Sequence, residues 1–411
     1  MPQAAGGARP EEREELDRQD EEEKELLRPP DVNQDSNRSA TRLELFFDLA
    51  FVLFVARCAD LLAKDETWTG GITFTALLAV GWWAWASTTL YANRFDTDDT
   101  VFRLLTLVGM AGVIAMAASV DKVGEATGRW FALGYVLVRM VLVVGYLRAW
   151  RHLPDARRTI KPYLWGHAAG AVIWLASAAM PAPARYVLWG VGIAVDLIGP
   201  SLAARLKDGI PLHMEHLPER FGLFVILVLG ESVAADVTAL HDGAWKPPVV
   251  VGAAIAFLIA ACLWWSYFDL SGGTAKRRLV EEGGERTRQG VHDFYVYAHL
   301  PVAVSLAAVA VGLEHAVLHA GDDHLTAGTR GVLGIGLAGY LASATLIQAR
   351  LSRETGAALL WPGLGVPLTL GVALLDLHPL VLLSLFAAIV LAGVVTGIVQ
   401  HRAGQIRTAK V

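Results

Sequence analysis

The sequence has little charge and almost no cysteine for its length. Of its 411 residues only 18% are charged, and Cys58 and Cys262 are its two cysteines. A soluble protein of this length normally carries more charge, and a disulfide framework or a thiolate metal site needs more cysteines. We also find no Walker phosphate loop, no dinucleotide fingerprint, no GxSxG elbow and no basic patch with interleaved aromatic residues. We therefore expect no nucleic-acid partner, no cofactor, no bound metal and no catalytic residue set.

Apolar residues, by contrast, make up 54% of the chain and fall into long runs. Each run is about 20 residues long, the length that an α-helix needs to cross a bilayer core of about 30 Å. The pattern predicts an all-α polytopic membrane helix bundle with twelve transmembrane helices. The predicted spans are 43–63, 71–91, 102–120, 130–149, 163–181, 185–204, 219–239, 248–269, 293–313, 330–349, 357–375 and 380–400. Whether span 357–375 crosses fully stays open, because Pro362 and Pro367 interrupt it.

Basic residues alternate along the connections and predict the orientation of the spans. The even-numbered connections and the C-terminal end hold 20 Lys and Arg residues, whereas the odd-numbered connections hold six. Since basic residues concentrate on the cytoplasmic side of a membrane, both termini are predicted to be cytoplasmic. Residues 1–40 lack an apolar stretch and are rich in acidic side chains. This segment is predicted to be a disordered, acidic cytoplasmic tail.

Two parts of the sequence resemble each other. Residues 44–47 open the first span with an aromatic-rich segment, and residues 219–222 open the seventh in a similar way. Residues 82–85, WWAW, likewise match residues 264–267, WWSY, at a similar separation. These matches predict a duplication of two six-helix halves related by an axis along the membrane normal. The predicted halves are residues 41–207 and 208–411. The alternative is that aromatic-rich apolar runs look alike by chance.

Charged residues inside apolar spans are the main functional signal. Each costs at least about 2.5–3.5 kcal/mol at the centre of a membrane helix, so such residues are rare and mark functional sites. Glu44 and Asp48 are four residues apart and share one helix face near the cytoplasmic end of the first span. They suit a path for protons or cations, or alternatively lock the fold through basic partners. For Arg57 and Arg139 a structural ion pair, such as Arg57 with Asp60, is favoured. The full set of path candidates is Glu44, Asp48, Arg57, Arg139, Asp196, Glu219, Arg220 and Glu231.

Two groups of histidines leave a metal site open as an alternative. His213 and His216 precede the seventh span, but no HExxH or paired CxxC motif supplies the further ligands that zinc needs. The outer connection after the ninth span is rich in His, Asp and Glu and has no Lys or Arg. Its residues are Glu314, His315, His319, Asp322, Asp323 and His324. We expect a solvated loop there, with divalent-cation binding or pH sensing as the alternative.

Two segments carry a resemblance to a known family. Residues 41–52, TRLELFFDLAFV, resemble the opening signature of the low temperature requirement A (LtrA) family. Residues 216–232 resemble that family's second marked segment, and the resemblance covers residues 41–400 in all. It implies a multi-pass protein of the bacterial inner membrane that is connected with growth in the cold. It carries over no activity and no catalytic residue.

A fainter similarity links the first span to the endolysosomal potassium channels, whose two six-helix repeats carry an Arg-x-x-x-Phe-Ser-Asp motif. Arg42, Phe46 and Asp48 match that spacing, whereas Phe47 replaces the serine. The similarity therefore serves as an analogy for a channel.

Three functions are compatible with these features. The first is a transporter or channel for a small solute or cation, in a non-enzymatic protein of the cell membrane. The second is a structural or sensory membrane protein whose embedded charges only fix helix packing. The third is a membrane-embedded enzyme acting on lipid or an envelope precursor, with the acidic residues in proton transfer. We prefer transport, with the lipid bilayer and a small solute or cation as partners.

Overall fold

The computed structural model describes residues 29–32, 41–96, 99–125, 127–203, 217–268, 285–351 and 355–408. These residues contain twelve α-helices, and each helix overlaps one predicted span. In chain order they are α1 (Arg42–Lys64), α2 (Trp68–Arg94), α3 (Thr100–Ser119), α4 (Gly128–His152), α5 (Arg157–Ala178), α6 (Ala184–Ala203), α7 (Leu217–Asp242), α8 (Pro247–Trp265), α9 (Glu285–Leu318), α10 (Ala327–Leu351), α11 (Thr355–Leu374) and α12 (Pro379–Thr408).

Seven of the described helices are long and apolar enough to cross a membrane: α3, α4, α7, α8, α9, α10 and α12. The surface of the bundle is also apolar, because large side chains on several helices are more than half exposed. Examples are Leu53, Ile72, Leu104, Val172 and Phe257. Such a surface is stable against lipid rather than water. The structure thus confirms an all-α membrane helix bundle, and the exact number of spans stays a prediction.

Polar caps fix where the first helices begin. Thr41 precedes α1, and its hydroxyl accepts a hydrogen bond from the backbone N–H of Glu44 at 3.2 Å. The Glu44 carboxylate in turn accepts from the backbone N–H of Thr41 at 2.9 Å, which completes a capping box. Asp99 caps α3 in a similar way by accepting from the backbone N–H of Phe102 at 3.0 Å. Glu44 and Asp99 therefore each stabilise the N-terminus of an apolar helix.

A short antiparallel strand pair joins the end of the acidic tail to the bundle. Strand β1 (Asp31–Val32) pairs with β2 (Phe95–Asp96), which directly follows α2. Phe95 is fully buried beside Tyr91 and Tyr146. The described end of the predicted tail is thus attached to the fold. The remainder of the tail prediction, residues 1–28 and 33–40, lies outside the described residues, as does the predicted boundary at residues 207 and 208.

Four contacts between helices of the N-terminal part recur in the C-terminal part. In the N-terminal part, α1 contacts α3, α3 contacts α4, α4 contacts α5, and α5 contacts α6. In the C-terminal part, α7 contacts α9, α9 contacts α10, α10 contacts α11, and α11 contacts α12. Glycines allow the closest approach, since a Cβ on Gly112 of α3 would lie 2.7 Å from the carbonyl oxygen of Gly134 on α4. Helices α1 and α2 also contact α7 and α9, which brings the two parts together.

Candidate functional site

The first group of buried charges surrounds Asp48 and joins the two parts of the chain. Asp48 lies on α1 and is fully buried. Its Oδ1 accepts two hydrogen bonds, from Trp85 Nε1 on α2 at 2.8 Å and from Arg220 Nη2 on α7 at 3.0 Å. The second guanidinium nitrogen of Arg220, Nη1, is 3.9 Å from Glu44 Oε2. We call these four residues the Asp48 cluster.

Aromatic side chains keep the Asp48 cluster away from polar surroundings. The ring of Trp85 packs against Phe221 and Phe224 of α7, with centroids 4.9 and 4.2 Å apart. In such an apolar setting the attraction between Asp48 and Arg220 is stronger than it would be in water. Within the described residues, Asp48 Oδ2 and Arg220 Nη1 make no hydrogen bond. The cluster therefore holds a carboxylate with one bound oxygen and one oxygen that is available to a further partner.

The second group of buried charges lies entirely among the N-terminal six helices. Arg139 on α4 and Asp196 on α6 are both fully buried, and Arg139 Nε is 3.0 Å from Asp196 Oδ2. Tyr135, one turn before Arg139, donates its hydroxyl to Asp196 Oδ2 at 2.7 Å and accepts from Arg139 Nη2 at 2.5 Å. Ser87 on α2 accepts from Arg139 Nη1 at 2.5 Å. We call these residues, with His167, the Asp196 cluster.

Arg139 has three partners in the Asp196 cluster: it donates hydrogen bonds to Ser87 and Tyr135, and its Nε lies beside Asp196 without making a hydrogen bond. All three guanidinium nitrogens of Arg139 contact a partner within residues 41–203. His167 on α5 places its Nδ1 3.5 Å from the other oxygen of Asp196. A Cβ at Gly170 would lie 2.3 Å from Asp196 Oδ1, so this glycine provides the space for the carboxylate. The arrangement ties α2, α4, α5 and α6 together and suits a structural ion pair.

The other three predicted path residues lie apart from both clusters. Arg57 pairs with Asp60 at 2.9 Å, as the sequence predicted, and the two side chains are 56% and 49% exposed. Glu219 is exposed, one residue before Arg220. Glu231 is half-buried on α7, three turns from Arg220 toward the far end of that helix. The structure thus brings together Glu44, Asp48 and Arg220 in one place and Arg139 and Asp196 in another.

The ninth helix extends beyond its predicted end and contains Glu314 and His315, and the histidines at and after its end contact separate carboxylates. His315 donates its Nδ1–H to Glu66 Oε1 at 2.8 Å, and His324 Nδ1 is 3.5 Å from Asp376. Among the described residues there is no set of three or more His, Cys, Asp and Glu side chains that could hold a metal ion. His213 and His216 lie outside the described residues.

Glu66 makes a polar contact between the two parts of the chain at the far end from Asp48, and this contact predicts a pH dependence. Burial alone would raise the pKa of Glu66, but hydrogen bonds from His315, Thr329 and Thr326 hold this pKa below its usual 4.5. A lowered pKa contributes stability above about pH 4.5, and that contribution is lost as the pH falls through the lowered value. We expect Glu66→Gln to lower the melting temperature in detergent near neutral pH, with a difference from wild type that shrinks in acid.

The matched control for this prediction is Glu125→Gln. Glu125 is exposed on the connection between α3 and α4. Its replacement should leave the melting temperature unchanged at every pH. A difference between Glu66→Gln and wild type that grows in acid would contradict the assignment.

Several members of the clusters were not identified as site residues from the sequence. Trp85 was noted only as part of an aromatic run, and nothing in the local sequence indicates that its N–H binds Asp48, 37 residues away. The contact of Tyr135 with Arg139 could have been predicted, because Tyr135 is four residues before Arg139 on the same helix and so shares its face. His167 is a polar residue within an apolar helix, which is the same signal that identified Asp196.

Comparisons with known proteins agree with the resemblance of the two marked segments. The family model for the bacterial low temperature requirement A protein (LtrA) matches residues 39–399. A protein of Rhizobium meliloti (strain 1021), itself described as uncharacterized, is 26% identical over 286 residues. That alignment covers 67% of this chain and 69% of the relative. No solved structure matches the chain. Because the match of the family model spans nearly the whole helical bundle, the chain belongs to the bacterial low temperature requirement A (LtrA) family.

Proposed function

We propose that this protein is a multi-pass transporter or channel for a small solute or cation in the cell membrane, with both termini in the cytoplasm. The observation that carries the proposal is the buried ion pair between Asp48 and Arg220. Charged groups inside a membrane protein are costly, and those that face the bundle interior mark ion and substrate paths. This pair joins α1 to α7, the first helices of the two proposed halves.

The proposed architecture is a repeat of two six-helix halves, and two observations support it. Four helix contacts of α1–α6 recur in α7–α12, whereas the contact between α8 and α12 is not matched by a comparable one between the described residues of α2 and α6. In addition, a hydrogen bond from the fourth helix reaches a serine in or directly after the second in both parts: Arg139 with Ser87 of α2, and Tyr340 with Ser266 at 2.7 Å. Ser266 follows α8 and corresponds to Ala84 in the matched segments. In repeat transporters the substrate site lies at the interface between the repeats. The contact of Asp48 on α1 with Arg220 on α7, the first helices of the two proposed halves, supports such a location for the Asp48 cluster.

The geometry suggests how binding and helix movement would be coupled. A cation that approaches Asp48 competes with the guanidinium of Arg220 for the same carboxylate. If Arg220 is displaced, the contact between α1 and α7 weakens, because Arg220 is the residue of α7 that pairs with Asp48 and Glu44 of α1. Binding at Asp48 would thereby favour separation of the two halves at this end of the bundle.

Flux through purified protein in liposomes tests the proposal. Protons, potassium and sodium would be screened with wild type and Asp48→Asn, and we expect the variant to lose at least about 90% of the flux. Asp99→Asn is the control, because Asp99 is also a buried aspartate paired with an arginine, Arg148, within the N-terminal helices. Asparagine also caps helices well, so this control should fold and keep its flux. Equal flux in wild type and in folded Asp48→Asn would remove Asp48 from the path.

The Asp196 cluster favours a second candidate function, that of a structural or sensory protein. Its arginine forms an ion pair with Asp196 and donates hydrogen bonds to Ser87 and Tyr135 of the same six helices, and this is the arrangement expected of a charge that only fixes packing. A membrane-embedded enzyme is the weaker alternative. The histidines that would hold its metal contact different carboxylates, Glu66 and Asp376.

A further inference from the structure

A second polar face on α7 is separate from the Asp48 cluster. Ser232 and Asp236 are four residues apart, so their side chains lie one above the other on the helix. Ser232 is fully buried and Asp236 is 7% exposed. Within the described part of the chain, Ser232 Oγ and Asp236 Oδ1 make no hydrogen bond. Their buried neighbours on this face are apolar: Val228, Leu229, Ala235 and Ala239.

No positive group is available to pair with Asp236 among the described residues of the helices that pack against α7. On α1, Arg57 is paired with Asp60 at 2.9 Å and Lys64 with Asp121 at 3.0 Å. Helix α8 contains no charged residue. On the same half of α9, His315 is bound to Glu66, and the remaining charged residue there is acidic, Glu314.

The rest of α7 supplies no counter-charge for Asp236 either. Glu231 on this helix is acidic, and His241 at its end is 2.9 Å from Asp242. Asp236 therefore differs from Asp48 and Asp196, the other deeply buried aspartates within the helices that the structure describes. Asp48 is bound by Arg220 and Asp196 by Arg139, each at 3.0 Å.

We propose that Asp236 is a proton-binding site, with its side chain held as the neutral carboxylic acid in the structure described. A carboxylate in this position would lose its hydration without gaining a counter-charge, whereas the neutral acid loses far less. Asp236 lies about 9 Å before the end of α7, which is close enough to the membrane surface for exchange with solvent. The ligand is thus a proton, delivered from the side of the membrane opposite to the Asp48 cluster.

The consequence for transport rests on the function proposed above. Release of the proton places a negative charge on the same helix that carries Arg220, the partner of Asp48. Protonation of Asp236 and breakage of the Asp48–Arg220 contact then act on one rigid element, α7. The transport cycle would thereby be coupled to protons without any proton passing through the Asp48 cluster.

Labelling with dicyclohexylcarbodiimide tests the proton site without any measurement of flux. This apolar reagent adds across the O–H of a protonated carboxyl and rearranges to an N-acylurea, so that no group leaves and the peptide gains the mass of the whole reagent. The full-length protein in detergent would be labelled near neutral pH, digested and analysed by mass spectrometry. We expect label on Asp236 and none on Asp48 or Asp196, which are fully buried and paired with arginine.

Infrared difference spectroscopy provides the decisive second readout. A pH jump applied to wild type should change the C=O stretching band of a protonated carboxyl, and Asp236→Asn should remove that change. Because asparagine is a neutral isostere of the acid, this variant is expected to fold with an unchanged melting temperature. The proposal is overturned if the band change persists in Asp236→Asn, or if Asp48 and Asp196 are labelled as strongly as Asp236. Neither readout depends on flux. The test of the proton site can therefore succeed or fail whether or not the wild-type protein transports ions.

Discussion

Arg139→Met is expected to lower the free energy of unfolding by about 3–5 kcal/mol. Arg139 and Asp196 are both fully buried and are 3.0 Å apart, so removal of the arginine leaves a carboxylate in the bundle without its counter-charge. The hydroxyl of Tyr135 still donates to Asp196, but a neutral donor compensates only part of a buried charge. Thermal or denaturant unfolding of the purified protein in detergent would measure the loss.

Two further variants separate the ion pair from a general effect of removing arginine. Arg57→Met removes an arginine from an ion pair whose side chains are about half exposed, so its cost should lie within about 1 kcal/mol. Arg139→Met combined with Asp196→Leu replaces the whole pair by apolar groups, and we expect it to recover most of the stability. A cost for Arg139→Met no larger than that for Arg57→Met would show that the buried pair does not hold these helices together.

The fold could be predicted from the sequence because its main signal is local. Each helix corresponds to an apolar run, and the length of such a run is set by the bilayer rather than by distant residues. Even span 357–375, with its two prolines, corresponds to a helix, α11. The pairing of Asp31–Val32 with Phe95–Asp96 was missed, since a two-residue strand leaves no periodic pattern to detect.

The candidate site was only partly predictable, for a different physical reason. The cost of burying charge identified Asp48, Arg139 and Asp196 from the sequence, because that cost depends on residue type and on the surrounding apolar run. The residues that contact these charges depend on how the helices pack, and an apolar run carries no information about its neighbours. Asp48 and Arg220 are 172 residues apart, and no spacing rule connects them. Arg57, by contrast, lies half exposed beside Asp60, three residues away, and this local pair follows from the spacing alone.

Arg220→Gln is expected to abolish transport and to destabilise the protein by about 3–5 kcal/mol, because it leaves the fully buried Asp48 with only the N–H of Trp85 as a donor. The double variant Asp48→Asn with Arg220→Gln replaces both charges by neutral amides that can hydrogen-bond to each other. We expect it to recover most of the lost stability. Unfolding in detergent and flux in liposomes would be measured on the same preparations.

The double variant decides between a transport role and a structural role for the pair, because it is expected to restore stability while it removes both charges. If Asp48 binds a transported cation or proton, the double variant is stable but carries no flux, since its amides provide no negative charge for the ligand. If the pair only locks α1 to α7, restoring stability also restores whatever activity the wild type has. The corresponding double variant of Asp99 and Arg148, a buried pair confined to α3 and α4, should be stable and fully active in both cases. Flux in a stable Asp48→Asn, Arg220→Gln protein equal to that of wild type would therefore assign the pair to structure and leave transport to another part of the bundle.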